Sequence, residues 1–352
     1  AKYRLRAQEY FQQGNYPKAR VEIRNVLQID PKDVDAYFLY AQVEEKERNW
    51  RNAMAAYQQV VELNPKHDRA MVKLAKYYLE VRALEQAAQI ADRLLTSQPD
   101  HVQAKAIKIA GVALSGNMKG AVEQAEKLVA GAPAEIDAVL LVVSLYTSTQ
   151  RSVDAMPYLR RALEVNPTNL ELLDALATTS IKLGRTADAE SALDQIAKLE
   201  PTILTHRLRQ AAFYDQQQQY DKAESILQDA VRLEPEDERR RVALAEYAGK
   251  RRGFEAAEAA LKQAKKELPR AGKLWFALGR LYESTQRGEL AREVYREIQT
   301  EFSGKPEALE AQVKLAGMDW LVGKTDEAER QIEAVLKDNS RSSDALMLRG
   351  RI

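Results

Sequence analysis

Cysteine is missing from all 352 residues. That excludes disulfides, thiol nucleophiles and thiolate metal sites, and it suits an oxidising compartment. Histidine occurs only at His67, His101 and His206, without the spacing of a metal site. No apolar run approaches the roughly 18 residues that a membrane-spanning helix needs. Excess charge is absent too: 53 basic residues stand against 52 acidic ones, so no global field favours nucleic acid or a membrane surface. No nucleophile motif and no phosphate-cradling glycine loop emerges. The expectation is a chain with no catalytic, cofactor or metal residues, and hence not an enzyme.

What is present is a period. Pro31, Pro65, Pro99, Pro133, Pro167, Pro201, Pro235 and Pro269 recur every 34 residues and take eight of the 11 prolines. Twelve residues before each stands an alanine, from Ala19, Ala53 and Ala87 to Ala257, and Ala291 extends the series without its proline. A fixed interval of this length marks a stacked repeat array. Residues 34–67 show one unit. Tyr37, Tyr40, Ala41 and Glu44 fall at helical spacing, Arg48 and Asn49 form a turn, and Ala53, Tyr57, Val60 and Val61 mark a second helix. Asn64-Pro65 ends that helix, because proline has no amide hydrogen and disfavours a helical residue before it.

Twelve residues before the lattice alanine, the first helix carries a second small residue: Ala7, Ala41, Ala75, Ala177, Ala211, Ala245, Gly279 and Ala316. Only such pairs let two helices approach near the lower end of the 8–10 Å range. Ile109 and Val143 break the rule in repeats four and five, which predicts slightly splayed pairs. A coiled coil is excluded, since it would sustain heptads without a turn every 14 or so residues.

These features resemble the tetratricopeptide repeat (TPR). The pattern reads Tyr3, Ala7, Tyr10, Ala19, Pro31 in the first copy and Trp275, Gly279, Tyr282, Ala291 in the ninth. The expected fold is all-α, an α-solenoid forming a right-handed superhelix of about ten helix-turn-helix units in one array over 1–352. The repeats are 1–33, 34–67, 68–101, 102–135, 136–169, 170–203, 204–237, 238–271, 272–308 and 309–341, with a partial one at 342–352. Ala1 opens without an initiator Met and 342–352 starts a new helical pattern, so the expectation is a fragment of a longer protein. Gly304-Lys305-Pro306 shifts the register by three residues and predicts a longer turn and a local change of superhelical pitch. Pro157 is expected in the first turn of its helix, where its missing donor costs little.

The resemblance implies a concave face lined mostly by the first helix of each repeat. Its inward positions give Phe38, Arg69, Val72, Lys73 and Lys76 in repeats two and three. In repeats four to six they give Ala106, Ala110, Ala113, Leu140, Ser144, Thr147 and Thr178. Asp215, Lys250, Phe276 and Arg280 follow in repeats seven to nine. The small central lining leaves room for an inserted protein or peptide segment; equally, it lets neighbouring helices pack closely. Arg69, Lys73 and Lys76 share one stripe that fits either an acidic tail or plain solvated charge. The asparagines of the family's chaperone-type carboxylate clamp are lacking.

From 239 to 273, 11 basic residues face four acidic ones, a local net of +7 that includes Arg239, Arg240, Arg241, Arg251 and Arg252. Such a patch suits an acidic polysaccharide, an anionic lipid surface or an acidic protein; pairing with the preceding acidic cluster is the plainer reading. Few aromatics interleave, which disfavours nucleic acid. The opening 20 residues also resemble bacterial TPR lipoproteins of exopolysaccharide and envelope protein-sorting (PEP-CTERM-type) systems. That likeness implies a periplasmic scaffold, membrane-bound only through a tether outside this chain. A cytoplasmic adaptor or co-chaperone, and the recognition superhelix of an enzyme whose catalytic domain lies elsewhere, remain alternatives.

Overall fold

The structure is a computed structural model that describes residues 2–352, and among these residues there are 21 α-helices and no strand. Helices that open a repeat, here called A helices, are α1 (Lys2–Gln12), α3 (Val34–Lys46), α5 (Asp68–Glu80), α7 (Val102–Leu114), α9 (Ile136–Ser148) and α11 (Leu170–Lys182). The A series continues with α13 (Leu204–Gln216), α15 (Glu238–Arg252), α17 (Gly272–Ser284), α19 (Pro306–Leu321) and α21 (Ser343–Arg349). Their B partners are α2 (Tyr16–Ile29), α4 (Trp50–Leu63), α6 (Leu84–Ser97), α8 (Met118–Gly131) and α10 (Ser152–Val165). Then come α12 (Thr186–Leu199), α14 (Tyr220–Leu233), α16 (Phe254–Glu267), α18 (Gly288–Glu301) and α20 (Thr325–Asp338). The architecture is an all-α solenoid. It divides into two compact units, Ala1–Ala192 and Leu193–Ile352, each a stack of such helix pairs.

The period has a local cause at every boundary. Seven residues after the small A-helix position the backbone turns left-handed: Gly14, Arg48, Arg82, Gly116, Gln150, Gly184, Gln218, Gln286 and Gly323 all have φ between 58° and 101°. That residue lets the next amide reach back five residues and cap the A helix, as Asn49 N–H does to the Glu44 carbonyl at 2.8 Å. Two residues after a lattice proline comes an N-cap. Asp33 accepts from the Ala36 amide at 2.9 Å, and Asn169 accepts from that of Leu172 at 2.9 Å. His67 and His101 do the same through Nδ1, towards Ala70 and Ala104. Two of the three histidines are therefore helix caps.

The lattice alanines are all buried, as are the small residues facing them. At Gly279 the requirement is strict, because a Cβ there would lie 2.6 Å from the Tyr295 ring. Beside Ile109, which replaces the small residue, a cleft of 610 Å³ lies among α7, α8 and the end of α6.

Two local expectations are corrected, and one irregularity is added. The insertion at 304–306 does not lengthen a turn: four residues, 302–305, join α18 to α19, as four join α4 to α5. The three extra residues lengthen α19 to 16 residues, against 13 in α3, with Pro306 opening it where a proline is tolerated. Pro157 lies in the second turn of α10, not the first, so the Val153 carbonyl loses its helical donor. Repeat eight holds an irregularity that an unchanged period conceals. There α15 runs on to Arg252 and the turn shrinks to Gly253 alone, at φ 88° and ψ −176°, a region only glycine occupies readily. The two helices then meet so closely that a Cβ on Gly249 would lie 2.9 Å from that of Ala257.

Candidate functional site

Within each unit, successive A helices touch one another: α5 meets α7, α7 meets α9 and α9 meets α11, and further on α15 meets α17. The surface that these touching A helices share is the candidate binding face.

In the first unit, Ala110, Ser144 and Thr178 occupy one register on α7, α9 and α11 and are half-buried or exposed. Beside Ala110, a side chain added at Gly111 would meet nothing within 4 Å. Leu140 and Thr147 are half-buried on the same face, and the Thr147 carbonyl accepts from Lys182 at 2.8 Å. Val72, Ala106 and Ala113 are buried and contribute packing instead of lining. Phe38 is likewise engaged, its ring 5.8 Å from that of Tyr57 and 4.7 Å from His67.

The stripe of cations on α5 is largely used within the fold. Lys73 pairs with Glu45 at 3.2 Å, and Lys76 reaches two repeats ahead to Asp137 on α9. Asp137 also accepts from Gln103 of α7 at 2.5 Å. Burial opposes its charge, but the hydrogen bonds from Lys76 and Gln103 prevail and hold its carboxyl below the ordinary value. Arg69 stays exposed.

The second unit corrects more. Asp215 is only 9% exposed and ties α13 to α15. It accepts from Lys250 at 2.7 Å, from the Tyr247 hydroxyl at 3.1 Å and from Arg251. The Lys250 bond outweighs the burial, Arg251 and Tyr247 add to it, and the carboxyl is lowered to about 2. Phe276 is buried in the core against Tyr295, at 6.1 Å between rings. Neither residue lines an open groove, whereas Arg280 is exposed.

The arginines of the 239–273 segment do not form a free basic patch. Arg239 pairs with Asp237 at 2.8 Å and Arg252 with Glu224 at 2.7 Å. Arg241 pairs with Glu267, and Arg251 holds Asp215 with its guanidinium 3.8 Å from the centre of the Tyr220 ring. A charge tally along the sequence leaves out carboxylates from outside the window, here Asp215 and Glu224 on neighbouring helices and Asp237 at the N-cap of α15.

Arg240 is the residue that sequence reasoning misplaced most. Only 1% exposed, it donates to the Thr202 carbonyl at 2.6 Å and the Ala230 carbonyl at 3.1 Å. The register carried the signal. Five residues before the small A-helix position stand Ala36, Ala70, Ala104, Ala138, Leu172 and Leu274, all buried.

No group of three or more histidine, aspartate or glutamate side chains among the described residues is arranged to hold a metal ion. No described helix is long and apolar enough to cross a membrane.

Comparison with known proteins adds the following. Four family models described as tetratricopeptide repeat match residues 2–43, 44–108, 149–212, 208–237 and 242–306, together well over half of the chain. The unmatched stretch 109–148 holds both Ile109 and Val143. A search of curated proteins finds no match. Among solved structures, the Naa15/Naa10 complex bound to HypK-THB is 16% identical with a TM-score of 0.46, over 98% of this chain and 54% of that one. The chain thus spans about half the length of that structure's chain. A thermophilic TPR protein of Thermus thermophilus is 18% identical with a TM-score of 0.44, over 51% of this chain and 98% of that one. PilF of Pseudomonas aeruginosa is 21% identical with a TM-score of 0.38, over 60% and 96%.

Proposed function

The chain belongs to the tetratricopeptide repeat family, and from that premise we propose that it is a scaffold holding a segment of another protein along the A-helix face of its first unit. One observation carries the reading. Ala110, Ser144 and Thr178 repeat at one register on three successive A helices, with no side chain larger than threonine. An incoming helix or strand can approach the backbone there and bury its apolar face against Leu140. The chain contributes binding and no chemical step. The likeness of its opening residues to envelope lipoproteins supports a place in assembling a bacterial envelope or exopolysaccharide secretion system.

The test replaces Ala110 with Glu and Ser144 with Arg, each checked for unchanged helical circular dichroism, and captures partners from the native host. Loss of a partner that the unaltered chain retains is the expected result. Retention of every partner by both folded variants would sink the groove reading.

Acidic polysaccharide at 239–273 is the weaker reading, because the five arginines named there are already paired. It predicts binding that falls steeply with salt and on reversing Arg251 and Arg252.

A further inference from the structure

Helix α7 departs from its neighbours at two core positions. Four residues and one residue before the small A-helix position, α5 carries Met71 and Leu74, α9 Val139 and Val142, and α11 Leu173 and Leu176. The first five are buried and Leu176 is half-buried. At the same two places α7 carries Lys105 and Lys108, and in no other repeat are both cationic. A cation at one of these positions elsewhere is used inside the fold: Arg6 holds Glu22, Arg207 bonds Gln210 and Arg241 pairs with Glu267. Lys105 and Lys108 instead turn outward, to Asp100 at 2.9 Å and Asp92 at 2.6 Å, and both aspartates are exposed.

The 610 Å³ cleft beside Ile109 lies at these lysines, on the side of α7 that faces the B helices α6 and α8. Leu95, Val102, Ile109 and Leu128 form its apolar floor. Lys105 and Lys108 stand on the α7 wall and Lys127 on the α8 wall. Leu95, Val102 and Leu128 are half-buried, so the floor is open to contact. A volume of several hundred Å³ lies in the range of ligand-binding pockets.

One sign of charge prevails in the lining. Asp100 is its single carboxylate, and Lys105 already holds it. Lys127 is exposed and takes part in no hydrogen bond or ion pair among the described residues. The pairs of Lys105 and Lys108 are solvent-exposed, contribute little to the fold, and can be exchanged for an incoming carboxylate. Three ammonium groups spread over two helices call for several carboxylates, while the floor calls for apolar side chains. A fatty acid brings a single charge, and an acidic sugar polymer brings no apolar side chain. An acidic amphipathic peptide supplies both.

We propose that this cleft is a docking site for an acidic, amphipathic segment of a partner protein. Apolar side chains of the segment cover Leu95, Val102, Ile109 and Leu128, and its carboxylates pair with Lys105, Lys108 and Lys127. This rests on the scaffold reading and adds a recognition element on the B-helix side of α7, separate from the Ala110–Ser144 strip.

The test titrates the full chain with three fluorescein-labelled, terminally blocked peptides, followed by anisotropy. They are Asp-Leu-Glu-Glu-Leu-Leu-Glu-Asp, a counterpart with lysine at every acidic position, and a counterpart with serine at every leucine. The first is expected to bind at least tenfold more tightly than either counterpart. Lys105→Met combined with Lys108→Leu copies the side chains of α5. It should keep or raise the melting temperature and weaken the first peptide at least tenfold. Lys127→Glu, at an exposed position, should weaken the same peptide at least tenfold and improve binding of the basic one. Ser144→Arg should leave the titration unchanged, so loss of the A-helix groove and loss of this cleft are told apart. Equal binding of the acidic and basic peptides, or binding of neither, would overturn the proposal, as would full affinity in either folded lysine variant. Equal binding of the serine counterpart would overturn the role of the apolar floor. Displacement of the peptide by laurate, undiminished in Lys127→Glu, would assign the cleft to a lipid instead.

Discussion

In its first turn α5 buries Ala70; at the same register α15 buries Arg240. One backbone arrangement is closed at the first place by a methyl group and at the second by a guanidinium bonded to two carbonyls. The neighbouring positions vary one theme. At the earlier junction Glu45 takes the Tyr57 and Tyr77 hydroxyls and Lys73, and the uncharged Met54 follows the lattice alanine. At the later one Asp215 takes the Tyr247 hydroxyl, Lys250 and Arg251, and Glu224 bonds Arg252. The earlier junction leaves Trp50 and Val81 exposed. The solenoid geometry tolerates a methyl group or an ion at one register, so the sequence is free to close successive junctions with different chemistry.

The sharpest way to break the contrast is Arg240→Ala. It removes a donor from the Ala230 and Thr202 carbonyls and the partner of Asp237 and Glu234, leaves a void besides, and should cost about 3–4 kcal/mol in urea unfolding. Arg240→Leu copies Leu172 and Leu274 and should recover most of that loss, since apolar replacement of a buried ion is often near neutral. If leucine is as damaging as alanine, the two chemistries are not interchangeable.

Asp215→Asn comes next, at about 2 kcal/mol near neutral pH, tempered by the partial exposure of Lys250 and Arg251. The Asp215 carboxyl sits at about 2, below its ordinary 3.8. Its contribution is therefore complete above about pH 4 and disappears as pH falls towards 2. The Asn variant should show a flatter loss of stability across that window, measured by thermal melts in an acid series.

Glu258→Met imports the Met54 chemistry into the second unit. It removes the acceptor of Tyr282 and Lys262 and should cost about 1–1.5 kcal/mol. Smallest is a gain. Ile203 occupies an N-cap without a side-chain bond, where Asp33 and Asp237 supply one. Ile203→Asp should add about 1 kcal/mol, and an unchanged melting temperature would refute it.

The helices and their pairing were legible because proline, alanine and the turn recur at fixed intervals, and each interval has a single steric reading. Ion pairing between repeats was not, because many pairs link residues 24 or more apart, as in Arg20–Glu44, Arg251–Asp215 and Lys76–Asp137, and a linear window keeps partners on separate lists. The three-residue insertion was visible, but its destination was not: a turn and a helix absorb length at similar cost, and Pro306 is at home as the first residue of α19. Gly253 was hidden by an unchanged period, since α15 gained the residues that the turn gave up. Arg240 was readable, because buried apolar residues at its register in most other repeats, His206 excepted, already described the environment it enters.

The link from Lys76 to Asp137 has one more consequence. Stacked repeats commonly behave as a chain of nearest neighbours, whose ends can fray one unit at a time. A bond that skips repeat four, with Gln103 of that repeat donating to the same Asp137, adds a next-nearest-neighbour term. Repeats three, four and five then favour opening together, as a cooperative block from which unfolding elsewhere in the unit is reckoned.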